Sequence, residues 1–177
     1  AQDHQYSQFF NSPVYLNPAL NGQFNGDLGF TGGTFNNSGT FYGAASGTVS
    51  NVTNTGLISN VTGVALNFAN STTIVNGSTS NTTAHIYGQT QAIYLGGTAG
   101  VVTNFGTIDS AGSSANVYLR GGSIANRGTA SLLLSQNGYG AYIYGQGTVT
   151  NEGQILGNGA NGNGARISGG GTIVNRC

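Results

Sequence analysis

The stretch Val102-Thr103-Asn104-Phe105-Gly106-Thr107-Ile108 decides the fold, because its pattern recurs along the chain. Each copy has an apolar residue, any residue, Asn, any residue and Gly, followed by Thr or a similar residue and a second apolar residue. The pattern returns at 52–58, 124–130 and 149–155, with partial copies at 35–41, 74–76 and 173–175. Such recurrence at a nearly fixed period is the sequence signature of a repeat architecture.

The asparagine is the most regular position of this pattern. It recurs at Asn54, Asn76, Asn104, Asn126, Asn151 and Asn175, in steps of 22, 28, 22, 25 and 24 residues. An amide carries both hydrogen-bond donors and an acceptor, so we predict an internal ladder in which each asparagine bonds to the next coil at a turn. The unequal steps indicate that corner loops vary in length while the strands stay in register.

A second pattern of alternating residues precedes each later repeat asparagine, at 92–97, 116–119, 142–145 and 166–169. The alternation predicts one buried file that contains Ile93, Val117, Ile143 and Ile167, with Tyr94, Tyr118, Tyr144 and Ser168 pointing outward. The first pattern predicts another buried file that contains Val102, Ile124, Val149 and Ile173.

Two short strands per period, joined by Gly-rich corners, cannot bury an apolar face alone, but stacked coils can. The sequence therefore predicts an all-β parallel β-helix, or β-solenoid, with about six coils of 22–28 residues over residues 34–177. Since parallel crossovers are usually right-handed, we expect a right-handed coil. Gly106, Gly128 and Gly153 fit corners that need a positive φ or a close backbone approach.

The composition argues against several functional classes. Gly contributes 32 of 177 residues, only 5% of residues are charged and the formal net charge is zero. A neutral chain lacks the basic footprint that nucleic acid or an anionic membrane attracts. No stretch approaches the roughly 20 apolar residues of a spanning helix. We therefore expect no nucleic-acid partner and no membrane span.

The sequence also lacks a recognisable set of catalytic residues. Asp109 and Glu152 occupy different positions of the repeat, so the register does not predict the close carboxyl pair that glycoside hydrolysis needs. His4, His85 and Cys177 are far apart in sequence and do not have metal-ligand spacing. We predict a protein that is not an enzyme, with no catalytic, cofactor-binding or metal-binding residues.

Three charged residues directly follow a repeat asparagine, namely Arg127, Glu152 and Arg176. On adjacent coils these side chains should form one exposed column of alternating sign. Exposed ion pairs of this kind contribute at most about 1 kcal/mol to stability.

The two repeat patterns resemble the passenger repeats of bacterial autotransporter adhesins, in which runs such as G-T-V-T-N-x-G-T-I and G-V-Y-L-x-G-G build parallel β-helices. The resemblance covers approximately residues 34–177. It implies an elongated, surface-exposed and usually non-catalytic module.

Residues 1–22, AQDHQYSQFFNSPVYLNPALNG, are similar to the mature start of the PorP/SprF family. That family comprises outer-membrane proteins linked to type IX secretion and gliding in Bacteroidetes. The similarity ends before the membrane barrel of the family. It implies an exported protein that begins directly after signal-peptide removal and lies outside the cell or on its surface.

Residues 1–33 are predicted to form an extended segment, because Pro13 and Pro18 disfavour a regular helix there. Its apolar side chains include Tyr6, Phe9, Phe10, Tyr15 and Leu16. Two roles are open, a cap over the first coil or a docking segment for a neighbouring subunit. The repeat stops in mid-pattern at 172–177, so we expect head-to-tail homo-oligomers in which this segment meets a neighbour's last coil.

The predicted function is that of a secreted structural or adhesive β-solenoid, in its sharpest form a self-assembling filament subunit. One alternative is a module that binds a glycan or, through outward rows of Thr and Asn, ice. The other alternative is a fragment of a larger surface adhesin.

Overall fold

The computed structural model describes residues 14–16, 23–160 and 162–176, and every regular element within these ranges is a β-strand. The strands form three parallel sheets. Sheet A contains β1 (Val14–Leu16), β4 (Thr34–Asn37), β7 (Asn51–Asn54), β10 (Thr73–Asn76), β13 (Gly100–Asn104), β16 (Gly122–Asn126), β19 (Gly147–Asn151) and β22 (Gly171–Asn175). Sheet B contains β2 (Gln23–Asn25), β5 (Thr40–Tyr42), β8 (Leu57–Asn60), β11 (His85–Gly88), β14 (Thr107–Ser110), β17 (Leu132–Ser135) and β20 (Gln154–Gly157). Sheet C contains β3 (Leu28–Thr31), β6 (Ala45–Thr48), β9 (Val64–Phe68), β12 (Gln91–Leu95), β15 (Val117–Leu119), β18 (Ala141–Ile143) and β21 (Ala165–Ile167).

Each turn of the chain contributes one strand to sheet A, then one to sheet B and one to sheet C. Every strand pairs in parallel with the strand three positions along the chain, as β10 does with β7 and β13. This arrangement confirms the predicted all-β parallel solenoid.

A coil has three strands, whereas the sequence predicted two. The pattern at 102–108 spans the end of β13 and the start of β14, with only Phe105 and Gly106 between them. Because this corner is so short, the change of strand direction leaves no break in the sequence pattern. The first sequence pattern therefore covers a strand of sheet A and a strand of sheet B as if they were one strand.

The unequal repeat lengths come mainly from the corner that follows the asparagine. Asn104 Nδ2 donates to the Gly106 carbonyl, two residues ahead. Asn76 instead donates to the Ala84 carbonyl, eight residues ahead, and Asn126 to the Ser131 carbonyl, five ahead. Relative to the two-residue corner these corners are six and three residues longer. These extra residues account for the difference between the 28-residue and the 22-residue step, and for the difference between the 25-residue and the 22-residue step.

Glycine is required in these corners for the two predicted reasons. A Cβ on Gly106 would collide with the Ala84 carbonyl oxygen of the preceding coil, and one on Gly153 would collide with the Ser131 carbonyl oxygen. Gly128 has open space around it, but its φ of 81° lies in the region that disfavours L side chains.

The core lies between the three sheets. One predicted file is confirmed, since Val102, Ile124, Val149 and Ile173 are paired in register. Val102, Ile124 and Val149 are buried, while Ile173 in the last described strand is 52% exposed.

The other predicted file is wrong by a shift of two residues. Ile93 pairs with Val117, but Val117 pairs with Ala141 and not with Ile143. Ile143 pairs instead with Leu119 and Ile167. Tyr142 and Tyr144 flank Ile143 on both sides, so either tyrosine could be placed opposite Tyr118 by the alternation alone. The correct register puts Ala141 opposite Val117, but the small alanine does not stand out as a core residue in the sequence.

Three strands of the described residues, β1, β2 and β3, precede residue 34, the predicted start of the repeat domain. The backbone of β1 pairs with β4, with Val14 opposite Phe35 and Leu16 opposite Asn37. Tyr15 and Leu16 of the predicted assembly segment thus belong to a strand of sheet A of their own chain. The other members of that segment, Tyr6, Phe9 and Phe10, lie outside the described residues.

Replacing Ile143 by Asp should destabilise the fold strongly, because Ile143 is fully buried and a carboxylate there would have no partner. We expect the free energy of unfolding to fall by about 4 kcal/mol, measured by urea denaturation. Tyr144→Asp is the matched control, since the neighbouring Tyr144 is 57% exposed. Equal urea midpoints for the two variants would contradict the burial of Ile143.

Candidate functional site

The repeat asparagines form a continuous ladder along the solenoid, buried except at Asn175 in the last described strand. Each Nδ2 donates to the Oδ1 of the next asparagine over 2.7–2.9 Å, in the order Asn37, Asn54, Asn76, Asn104, Asn126, Asn151 and Asn175. Asn37 was missing from the predicted set, although the partial copy at 35–41 contained it. Its Oδ1 is buried and accepts no hydrogen bond from the residues that the structure describes.

Asn104 illustrates how many groups one ladder position satisfies. Its Nδ2 donates to Asn126 Oδ1 and to the carbonyls of Gly106 and Leu132. Its Oδ1 accepts from Asn76 Nδ2 and from the Gly106 N–H. The side chain therefore bonds to both adjacent coils and to its own corner, which gives the ladder a structural role.

The predicted charge column is present. Arg127 Nη1 lies 2.7 Å from Glu152 Oε1, and Arg176 Nη1 lies 3.6 Å from the same oxygen. The hydrogen bond from Arg127, and then the one from the Gly128 N–H, lowers the pKa of Glu152. Glu152 is thus held as a carboxylate within this column.

Asp109 lies on the outer surface of sheet B, where its carboxylate is paired with His85 Nε2. Asp109 and Glu152, the two acids considered for catalysis, therefore have separate side-chain partners, His85 and the arginines Arg127 and Arg176. Within residues 14–16, 23–160 and 162–176, no three His, Cys, Asp or Glu side chains form a group that could hold a metal ion. His4 and Cys177 lie outside the described residues.

Aromatic side chains form a row on the outer surface of sheet C. Tyr94 pairs with Tyr118, and Tyr118 with Tyr142, on three adjacent coils. The rings of Tyr94 and Tyr118 are stacked, with centroids 5.1 Å apart and an interplanar angle of 3°. Tyr142 meets Tyr118 edge to face at 5.5 Å. The prediction put Tyr144 and Ser168 in this row, but the two-residue register shift places Tyr142 and Arg166 there instead.

A groove of about 300 Å³ runs beside this row. Two corners form its other side, one between β14 and β15 and one between β17 and β18. We call it the tyrosine groove. It is lined by Gln91, Tyr94, Ser113, Ser114, Ala115, Tyr118, Tyr139 and Tyr142. The groove therefore combines aromatic rings with several neutral hydrogen-bonding groups.

Arg166 is held against one end of the tyrosine groove. Its guanidinium carbon lies 5.5 Å from the ring centroids of both Tyr139 and Tyr142, a cation–π distance. Its Nη1 donates to Tyr139 Oη over 2.7 Å. Ser168 Oγ donates to Tyr142 Oη over 3.1 Å. Hydrogen bonds therefore hold the side chains of Tyr139 and Tyr142 in place at this end of the groove.

Tyr118 lies at the centre of the tyrosine row. Burial raises the pKa of its hydroxyl, and the neighbouring Tyr94, Tyr142 and Tyr144 raise it further. Arg120 acts on the same pKa in the opposite direction. The hydroxyl therefore stays neutral at physiological pH and adds no negative charge to the groove.

The outer surface of sheet A bears on the ice-binding alternative. From β4 to β22 its outward positions mix Thr with Val, Asn, Ser and Ala. Only β19 among these seven strands has Thr at both positions, Thr148 and Thr150. The threonines therefore form no regular double row.

No protein family, curated protein or solved structure matches this chain. The part of the chain that the structure describes contains no helix of the length and apolarity that crossing a membrane requires.

Removing one interior ladder side chain should be costly. Asn104→Ala would leave Asn76 Nδ2 and Asn126 Oδ1 without their ladder partner in a buried environment. We expect a loss of about 3 kcal/mol in the free energy of unfolding, measured by urea denaturation. Asn67→Ala, at an exposed outward position of β9, is the control. Equal urea midpoints for the two variants would contradict a stabilising role of the ladder.

Tyr118 should make stability depend on alkaline pH. Its raised pKa means that the folded chain retains a proton that the unfolded chain loses near about pH 10. This contribution to stability is present below that pH and is lost as pH rises through the folded pKa. Tyr118→Phe should therefore lose less stability than the wild type between about pH 9 and about pH 11. The free energy of unfolding of both proteins is measured by urea titration at each pH. An equal loss in Tyr118→Phe and in the wild type would contradict the described environment of Tyr118.

Proposed function

We propose that this chain is a non-catalytic adhesive β-solenoid that acts outside the cell and binds a carbohydrate partner in the tyrosine groove. The observation that carries the proposal is the row of Tyr94, Tyr118 and Tyr142 beside that groove. These side chains lie on the outer surface, and Tyr94 is 37% exposed. Large aromatic side chains grouped on a surface mark a site of interaction.

The chemistry of the groove suits a sugar. A pyranose ring presents C–H groups on its faces and hydroxyls around its edge. Tyrosine matches this with an apolar ring and a polar hydroxyl. Gln91, Ser113 and Ser114 supply further donors and acceptors along the groove. A mostly apolar concave surface with a few polar groups is the usual form of a small-ligand site.

The scaffold supports binding with little loss of entropy. The tyrosines stand on strands of a regular sheet, and stacking with each other restricts their rings. Fixing a binding surface before the ligand arrives lowers the entropic cost of association. The resemblance to adhesin repeats and the low charge agree with a surface role. Head-to-tail assembly into filaments stays a prediction, because Tyr6, Phe9 and Phe10 lie outside the described residues.

The proposal is tested by combining Tyr94→Ala with Tyr118→Ala and measuring binding to a panel of immobilised polysaccharides. We expect the wild type to bind at least one of them and the double variant to bind it at least about tenfold more weakly, the equivalent of about 1.4 kcal/mol. Tyr87→Ala is the matched control, because Tyr87 points outward from sheet B, away from the groove.

Two results would sink the proposal. One is the absence of binding to every polysaccharide of the panel. The other is unchanged binding by the double variant, since carbohydrate binding would then occur elsewhere on the chain. Urea midpoints close to that of the wild type would establish that the variants are folded.

A further inference from the structure

The charges of the described residues are distributed unevenly. The described acids are Asp27, Asp109 and Glu152, and all of them have partners. Asp109 pairs with His85, and Glu152 lies beside Arg127 and Arg176. Asp27 Oδ1 accepts the Ala44 N–H. No carboxylate of the described chain is therefore assigned to the two remaining cations, Arg120 and Arg166.

Both of these arginines flank the row of Tyr94, Tyr118 and Tyr142, although neither lines the groove itself. Arg166 follows Tyr142 in the outward row of sheet C, on the adjacent strand. Arg120 directly follows β15, two residues after Tyr118, and is exposed. Its charge is close enough to Tyr118 to act on the pKa of that hydroxyl. Two cations without a carboxylate partner among the described residues thus flank the tyrosine row, although the whole chain has a formal net charge of zero.

We infer that the tyrosine groove takes an acidic polysaccharide, whose sugar rings stack on the tyrosines while its carboxylate or sulfate groups meet Arg120 and Arg166. This inference rests on the proposed function, because it names the class of carbohydrate for the same groove.

The guanidinium group is suited to this task. It is planar and permanently charged, and its N–H groups match the paired oxygens of a carboxylate or sulfate. Arg166 uses Nη1 for Tyr139 Oη and is positioned by two rings. Its other guanidinium N–H groups donate to no residue of the described chain, so they are available to an anionic ligand. Arg120 is exposed, so pairing with an anion costs little desolvation there.

Aromatic rings and arginines also bind single-stranded nucleic acid, but the charges here favour a polysaccharide. Backbone tracking along nucleic acid needs a groove with many cations, since one phosphate accompanies each nucleotide. Two arginines flank the tyrosine row, and the chain has no lysine. A sugar polymer held mainly by ring stacking needs fewer ionic contacts.

The experiment compares two acidic polymers with their neutral parents by isothermal titration calorimetry. Polygalacturonate is paired with its fully methyl-esterified form, which tests carboxylates. Dextran sulfate is paired with dextran, which tests sulfates. We expect at least one acidic member to bind at least about tenfold more tightly than its neutral parent. Raising the ionic strength from about 0.05 M to about 0.5 M should weaken that preference, because salt screens exposed charges.

Variants then locate the preference. The double variant Arg120→Gln and Arg166→Gln should bind acidic and neutral polymers equally, while Arg127→Gln should keep the preference of the wild type. Arg127 is the matched control, because it carries the same charge but pairs with Glu152 away from the groove. The pair of Tyr→Ala changes described above should weaken binding of acidic and neutral polymers alike.

The outcomes separate this inference from the proposed function. Equal binding of acidic and neutral polymers by the wild type, or a preference that survives in the double arginine variant, overturns the acidic class and leaves carbohydrate binding intact. Failure of all four polymers to bind overturns the acidic class, and the proposed function falls as well only when no polysaccharide of the wider panel binds. Tighter binding of an oligothymidylate than of either acidic polymer also overturns the inference.

Discussion

The hydrogen bond between one buried asparagine and the next fixes how each coil sits on its neighbour. A parallel sheet could in principle slip by one residue, which would turn every inward side chain outward. The ladder opposes such a slip, because Asn104 Nδ2 would lose both Asn126 Oδ1 and the Leu132 carbonyl. Aspartate could not replace it, since a carboxylate has no proton to donate and would be charged in a buried position. The buried files and the outward tyrosine row follow from this register.

Because strands and ladder hold the register, the corners are free to differ in length. The corner after Asn76 is six residues longer than the one after Asn104, yet Val75 and Thr103 remain opposite each other in sheet A. The same freedom produces the tyrosine groove. Its floor is a regular row of tyrosines, and its wall is built by corners that carry Ser113, Ser114 and Tyr139. A rigid stack with variable corners therefore yields a concave surface on a repetitive molecule.

The contrast between regular strands and variable corners also explains which features could be predicted from the sequence. Asparagine and glycine recur because their chemistry is needed in every coil, so the solenoid and the column of Arg127, Glu152 and Arg176 followed from the repeat. Strand count was missed because only Phe105 and Gly106 separate two strands. The groove could not be predicted, since its wall depends on corner conformations that have no period. The tyrosine row was displaced by two residues because alternation does not distinguish Tyr142 from Tyr144.

Only 5% of the residues are charged, so the position of each charged side chain bears on what the surface can bind. Two arginines beside the tyrosine row have no carboxylate partner in the described chain although the chain has no excess of cations, because Asp109 and Glu152 are engaged on other surfaces. Along the outward row of sheet C, Ser46 and Asn67 precede Tyr94, and Arg166 follows Tyr142. A polymer lying along the stack would meet neutral hydrogen-bonding groups first, then aromatic rings and finally a cation. The surface therefore has a direction, and a chain with alternating ring faces and acidic groups would be oriented by it as well as held.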